Sequence, residues 1–205
     1  MSRRIERLGP TAREAVAAAI TAVESSDEPV DPGQYQALYD PALKAVVADE
    51  LDQVGRVLLD VEGGCTSGYA DDVSDELTER AIGQLCEQDR AVLSLVLLHC
   101  IAIPRARGRT GGQAWSDAIE FNTDKLSAEW SNPHLTAKAI NESLRRLRDA
   151  GILKRGHRAT PVPGPQFLRL TPARNSLLWE NLVLLAAPDS MLADVIRRRR
   201  TTTAA

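Results

Sequence analysis

No apolar run in this 205-residue chain approaches the ~20 residues that cross a bilayer, so it does not read as an integral membrane protein. Cysteine is scarce. Cys65, Cys86 and Cys100 are odd in number and widely spaced, which makes no disulfide framework and suits a reducing cytoplasm. The opening Met-Ser-Arg-Arg-Ile-Glu is charged and no apolar stretch follows it, so no secretory signal is expected. The glycine-rich Gly63 to Gly68 lacks the Gly-Lys-Ser/Thr ending of a phosphate-cradling loop, and Gly111-Gly112 fails the same test. Cys86, His99 and Cys100 match no compact zinc spacing, and adjacent His99 and Cys100 point different ways on a helix. No Ser/His/Asp or Cys/His set stands in a recognisable context. The chain therefore reads as no enzyme, with no metal and no cofactor.

What is present is an ordinary globular composition, 43% hydrophobic and 26% charged, with enough length for one or two domains. The net charge of −3 hides an asymmetry. Residues 1–85 carry 7 basic and 17 acidic side chains, and residues 86–205 carry 18 basic and 11 acidic. Within residues 130–174 the balance is 9 basic to 2 acidic. An acidic half does not favour nucleic acid and a basic half does, which directs attention to that segment.

Thr11 to Glu14 fits a capping box ahead of an alanine-rich helix over about 12–24. Asp40-Pro41 is a cap followed by a first-turn proline. Leu43, Val47, Leu51, Val54, Leu58 and Val61 recur at helical spacing, and the sequence predicts one helix through them, then a turn-rich connection over 62–72. Ser74 is a plausible cap for a helix running towards Cys86. Residues 89–103 are apolar on nearly every side, the pattern of a central core helix, with Pro104 expected to end it and a basic loop, 105–112, to follow.

Thr123 to Trp130 reads as a short helix and Ser131 to His134 as a turn. Thr136 then opens a second helix whose apolar stripe is Ala137, Ile140, Leu144 and Leu147. Lys138, Glu142, Arg145, Arg146 and Asp149 fall on the opposite side, with Asn141 and Arg148 on the shoulder. Gly151 stands where a left-handed helix end is wanted. Ile152 to Arg155 and Gln166 to Thr171 read as two strands of a hairpin across a proline-rich turn. The expected fold class is mainly α: a winged helix-turn-helix with a small β-hairpin wing, flanked by additional helices. Its expected divisions are an acidic helical region over 1–85, the winged domain over 86–175, and a C-terminal helix with a basic tail over 176–205.

Residues 86–175 resemble the winged helix-turn-helix superfamily, including its MarR-like branch, most specifically in the run Leu144 to Leu153. The resemblance implies double-stranded DNA as partner, read in the major groove by the helix at about 136–150. It places Ala137, Lys138, Ala139, Asn141 and Glu142 towards the bases. Lys138 suits guanine, Asn141 suits adenine, and Glu142 either accepts from cytosine or repels phosphate. Thr136 opens that helix, and Arg145 and Arg146 suit phosphates. Lys154, Arg155, His157 and Arg158 put positive charge on the wing. Transcriptional regulation is the leading expectation. The rival is an interaction subunit of a multi-protein complex for DNA maintenance, mobile elements or defence, whose acidic first half docks a protein partner. The apolar run from Leu177 to Leu185 suggests a homodimer. Arg197 to Arg200 is read either as a phosphate-binding tail or as a helix end whose dipole favours cations.

Overall fold

Asp40 has the short acceptor side chain that suits a helix start, and Pro41 lacks an N–H that the first turn would leave unpaired anyway. The computed structural model describes residues 5–107, 115–121, 136–157 and 160–203. In it the Asp40 carboxylate accepts from the N–H groups of Ala42 at 2.8 Å and Leu43 at 3.4 Å. The chain forms two units, residues 1–84 with 168–173, and residues 85–167 with 174–205.

The first unit contains α1 (Pro10–Ser25), α2 (Gln36–Tyr39), α3 (Pro41–Asp52), β1 (Arg56–Val61), β2 (Gly64–Tyr69) and α4 (Asp71–Glu79). Strands β1 and β2 pair antiparallel from Arg56 opposite Tyr69 to Val61 opposite Gly64, and Val30 forms a single bridge with Cys65. The core gathers Val16, Ala19 and Val23 of α1, Leu38 of α2, Val47 and Leu51 of α3, and Cys65 of β2. α1 begins at Pro10 with Gly9 as its cap, so Thr11 lies inside the helix.

The expected helix through Leu43 to Val61 does not form in full. α3 stops at Asp52, Val54 is 67% exposed, and Leu58 and Val61 lie in β1. Gly55 adopts φ +71°, a left-handed conformation that ends the helix cheaply only for glycine. The following Val57 to Val61 run favours a strand, and Glu62-Gly63, with Gly63 at φ +91°, makes the two-residue turn that returns it. The connection expected over 62–72 is therefore mostly β2, and the helix expected from Ser74 begins at Asp71.

Residues 168–173 close this unit. The Arg169 guanidinium donates to Ser26 O at 2.5 Å, Ser67 O at 3.0 Å and Val23 O at 3.4 Å. Thr171 Oγ1 donates to Asp71 at 2.6 Å. A Cβ on Gly68 would stand 2.2 Å from Arg169 O, so only glycine lets that backbone approach.

The second unit contains α5 (Glu87–Leu97), a π-helical turn (Leu98–Ala102), α6 (Ile103–Ala106), α7 (Ala137–Asp149), β3 (Leu153–Arg155), β4 (Pro161–Pro163), α8 (Pro172–Ala186) and α9 (Met191–Thr203). Residues 172–173 of α8 belong to the first unit. Val92, Leu95, Val96, Leu97, Cys100 and Ile101 are buried, as expected of a core helix. Pro104 does not end the run. The Ile103 N–H reaches back five residues to Leu98 O, a slip in register just ahead of the residue that has no N–H to give. The second wing strand is Pro161–Pro163 rather than 166–171, which is a 3-10 turn over Pro165–Arg169. The register is Leu153 opposite Pro163, Lys154 opposite Val162 and Arg155 opposite Pro161, and a two-stranded ribbon tolerates prolines because both its strands are edges. The described residues are mainly α-helical, with one small antiparallel hairpin in each unit and flanking helices. Among the described residues no helix is long and apolar enough to cross a membrane.

Candidate nucleic-acid interface

α7 owes its ends to three residues. The Thr136 side chain accepts from Ala139 N at 3.2 Å, closing the first turn. At the other end Gly151 takes φ +67°, its N–H bonds Arg148 O at 2.9 Å and Ile152 N–H bonds Leu147 O at 2.9 Å, a Schellman closure. Ile140, Leu144 and Leu147 are buried, as is Ser143, whereas Ala137 is exposed at the helix start. Leu147 and Leu153 are 0% and 1% exposed, and α7 packs against both α5 and β3.

That burial leaves Lys138, Asn141, Glu142, Arg145, Arg146 and Asp149 on the exposed face. Their charges are not equivalent. Lys138, 86% exposed, lies 4.0 Å from Glu142 one turn on. Arg145 donates to Asp149 at 3.3 Å. Both are solvent-exposed pairs that exchange readily for other partners. Arg146 is different. Its Nε and Nη2 clasp the Asp89 carboxylate at 2.9 and 2.6 Å, and Nη2 also donates to Ser143 Oγ at 3.0 Å. Asp89, on α5, is 6% exposed. The Arg146 bonds, with help from Ser143 and Cys86, hold its carboxyl down to about 2. A bidentate, charge-assisted pair of this kind is a strut between α5 and α7. Gln88 Nε2 donates to Ala139 O at 2.9 Å alongside it.

On the wing, Lys154, Arg155 and His157 are exposed. Arg158 lies outside the described residues, as do the expected short helix over Thr123 to Trp130, the turn over Ser131 to His134 and most of the basic loop. Arg105 of that loop is instead helical, in α6. The four arginines of 197–200 lie in α9. Arg197 pairs with Asp194 at 3.0 Å, and Arg199 and Arg200 both pair with Glu180 of α8. Among the described residues no group of three or more His, Cys, Asp or Glu side chains could hold a metal. Burial pushes the Cys65 thiol up to about 11 and the Cys100 thiol up to about 12, so neither offers a thiolate at neutral pH.

No protein-family model matches the chain, and no curated protein is similar to it in sequence. Solved structures similar at low superposition include two of note. One is a conserved hypothetical protein from Chlorobium tepidum, 14% identical, with a TM-score of 0.32, covering 82% of this chain and 97% of that one. The other is ScpB from Mycobacterium tuberculosis, 16% identical, with a TM-score of 0.25, covering 78% of this chain and 94% of that one. TM-scores this low do not define a shared fold.

In the first unit α3 precedes a hairpin as α7 does in the second, and the helical reading of residues 43–61 concealed that hairpin. In α3, Lys44 is the lone base beside Asp49, Glu50 and Asp52. Lys44 itself bonds Asp60 of β1 at 2.5 Å, and Cys65 Sγ donates to the same oxygen at 3.2 Å. The hydrogen bond raises the Lys44 pKa and lowers that of Asp60. Tyr39, the last residue of α2, is 79% exposed. The signal that marks this hairpin is Glu62-Gly63-Gly64 between two strand-compatible runs.

Proposed function

We propose that this protein is a non-catalytic winged-helix subunit of a multi-protein assembly that works on DNA, and that its main contacts there are with protein. The observation that carries this reading is the engagement of Arg146 by buried Asp89, which neutralises one cation of α7. The acidic α3 supports it, because a second helix rich in carboxylates repels a phosphate backbone.

The rival reading, a transcriptional regulator, rests on the exposed Thr136, Lys138 and Asn141 at the start of α7 and on Lys154 and Arg155 of the wing. Dimerisation through α8 belongs with it, motivated by Leu177 and Leu185, 45% and 56% exposed.

Fluorescence anisotropy on duplex DNA across a salt series separates the two. The expected result is weak binding whose affinity is unmoved by K138A/N141A/R145A. Nanomolar, sequence-enriched binding at physiological salt that the triple substitution abolishes would sink the subunit reading and establish the regulator.

A further inference from the structure

Between α6 and the α8–α9 hairpin of the second unit lies a groove of about 240 Å³. Its walls are almost wholly apolar, with Ala102 and Ala106 on one side and Leu182 and Ala186 on the other. Three lining residues carry polar groups, Arg105, Trp179 and Ser190, whose hydroxyl is taken up by Ala187 O and Ala193 N. The Arg105 guanidinium stands 3.7 Å above the Trp179 ring, which in turn stacks on Trp115 with centroids 4.6 Å apart. The cation is therefore held in place by aromatic rings.

This arginine differs from the others that carry structure. Arg146, Arg199 and Arg200 each hold a carboxylate, and Arg169 holds three carbonyls. No carboxylate among the described residues lies within ion-pair distance of Arg105, and Asp117 helps its charge only from further off. Burial disfavours its charged form. Its Nε and the indole Nε1 of Trp179 are both buried, and neither has a hydrogen-bond acceptor among the described residues. Two unmatched donors and a partly desolvated cation on one apolar wall are costly unless an acceptor joins them.

We propose that this groove binds a small amphipathic carboxylate, an acid group set on Arg105 with an apolar body between α6 and α8. An ammonium ligand would meet the guanidinium's repulsion, and a neutral one would leave the cation uncompensated. The volume is below the ~300–1,000 Å³ of pockets for drug-sized ligands, so the body is no larger than a medium acyl chain or one bicyclic ring.

The test is isothermal titration of the full chain with octanoate, octan-1-ol and octylamine, followed in parallel by tryptophan emission. Octanoate is expected to bind saturably and at least about tenfold more tightly than the other two, a difference of about 1.4 kcal/mol. Arg105→Met keeps the apolar stem and is expected to raise the octanoate Kd about tenfold, while Arg105→Lys keeps much of the affinity. Ala186→Phe fills the groove without touching the charge and is expected to abolish binding, which keeps the test informative if Arg105→Met misfolds. Octan-1-ol binding as tightly as octanoate, or Ala186→Phe leaving the affinity unchanged, would overturn the proposal. So would no binding by any probe together with a change of oligomeric state in Ala186→Phe, which would assign the groove to a second copy.

Discussion

Each unit carries a helix followed directly by an antiparallel hairpin, but the two helices are braced by opposite means. In the first, the brace from α3 to the hairpin is Lys44 with Asp60, whose side chains are 29% and 70% exposed. In the second, the brace from α7 runs back to the core helix α5, Arg146 with Asp89, and the carboxylate side chain is only 8% exposed. The lesson is one of solvent. An exposed pair gains little, because water competes for both charges, whereas a bidentate pair with one buried partner leaves that partner stranded if it is broken. The wings differ in the same spirit. The first has six-residue strands around a glycine turn, and the second has three-residue strands held by a single non-proline register pair between two prolines.

The sharpest way to compare the units is to damage each core. Leu147→Ala in α7 is expected to cost about 2–5 kcal/mol, read from the urea midpoint, because Leu147 is fully buried between α7 and the wing. Hydrogen exchange should then rise in 85–167 before it rises in α1 and β1–β2. Uniform loss of protection would show that the two units unfold as one.

Breaking the braces comes next. Asp89→Asn is expected to destabilise by about 2 kcal/mol, and Asp60→Asn by less than about 1 kcal/mol. Equal effects would refute the contrast. Acid sharpens the same point. The Asp89 carboxyl ionises at about 2 in the folded chain and near ~3.9 when unfolded. Its contribution is therefore fully present above about pH 4 and is lost as pH falls towards 2. The Asp89→Asn variant should show a flatter stability profile across that window than the parent chain.

Arg169→Ala is expected to cost about 1–3 kcal/mol, because it leaves buried carbonyls of Val23, Ser26 and Ser67 without a donor. Its measure is faster exchange in β2 and α1, and unchanged exchange there would mean that residues 168–173 do not close the first unit. The smallest expected effect is at the helix end. Gly151→Ala, at φ +67°, is expected to cost about 1 kcal/mol by thermal melting.

Local chemistry was legible in the sequence. Asp40 and Thr136 cap the helices they precede, Gly151 closes α7, and Ile140, Leu144 and Leu147 face the core. Each depends on groups within about five residues of one another, where spacing and side-chain type decide the outcome. The residues from Val54 to Val61 show where that range ends. Apolar spacing suits both a helix continuing α3 and the strand that forms, and only pairing with Gly64–Tyr69 separates them.

By itself, then, the sequence determined the α7 helix with its caps, the split between an acidic and a basic half, and the mainly helical class. Tertiary structure alone decided that Asp89 meets Arg146 across 57 positions, that Arg169 returns to Ser67 across 102, and that Arg105 lies on Trp179. The physical reason is the range of the forces. Capping and periodicity act along the chain, whereas which buried charge finds which partner depends on how whole elements pack, and no local pattern records it.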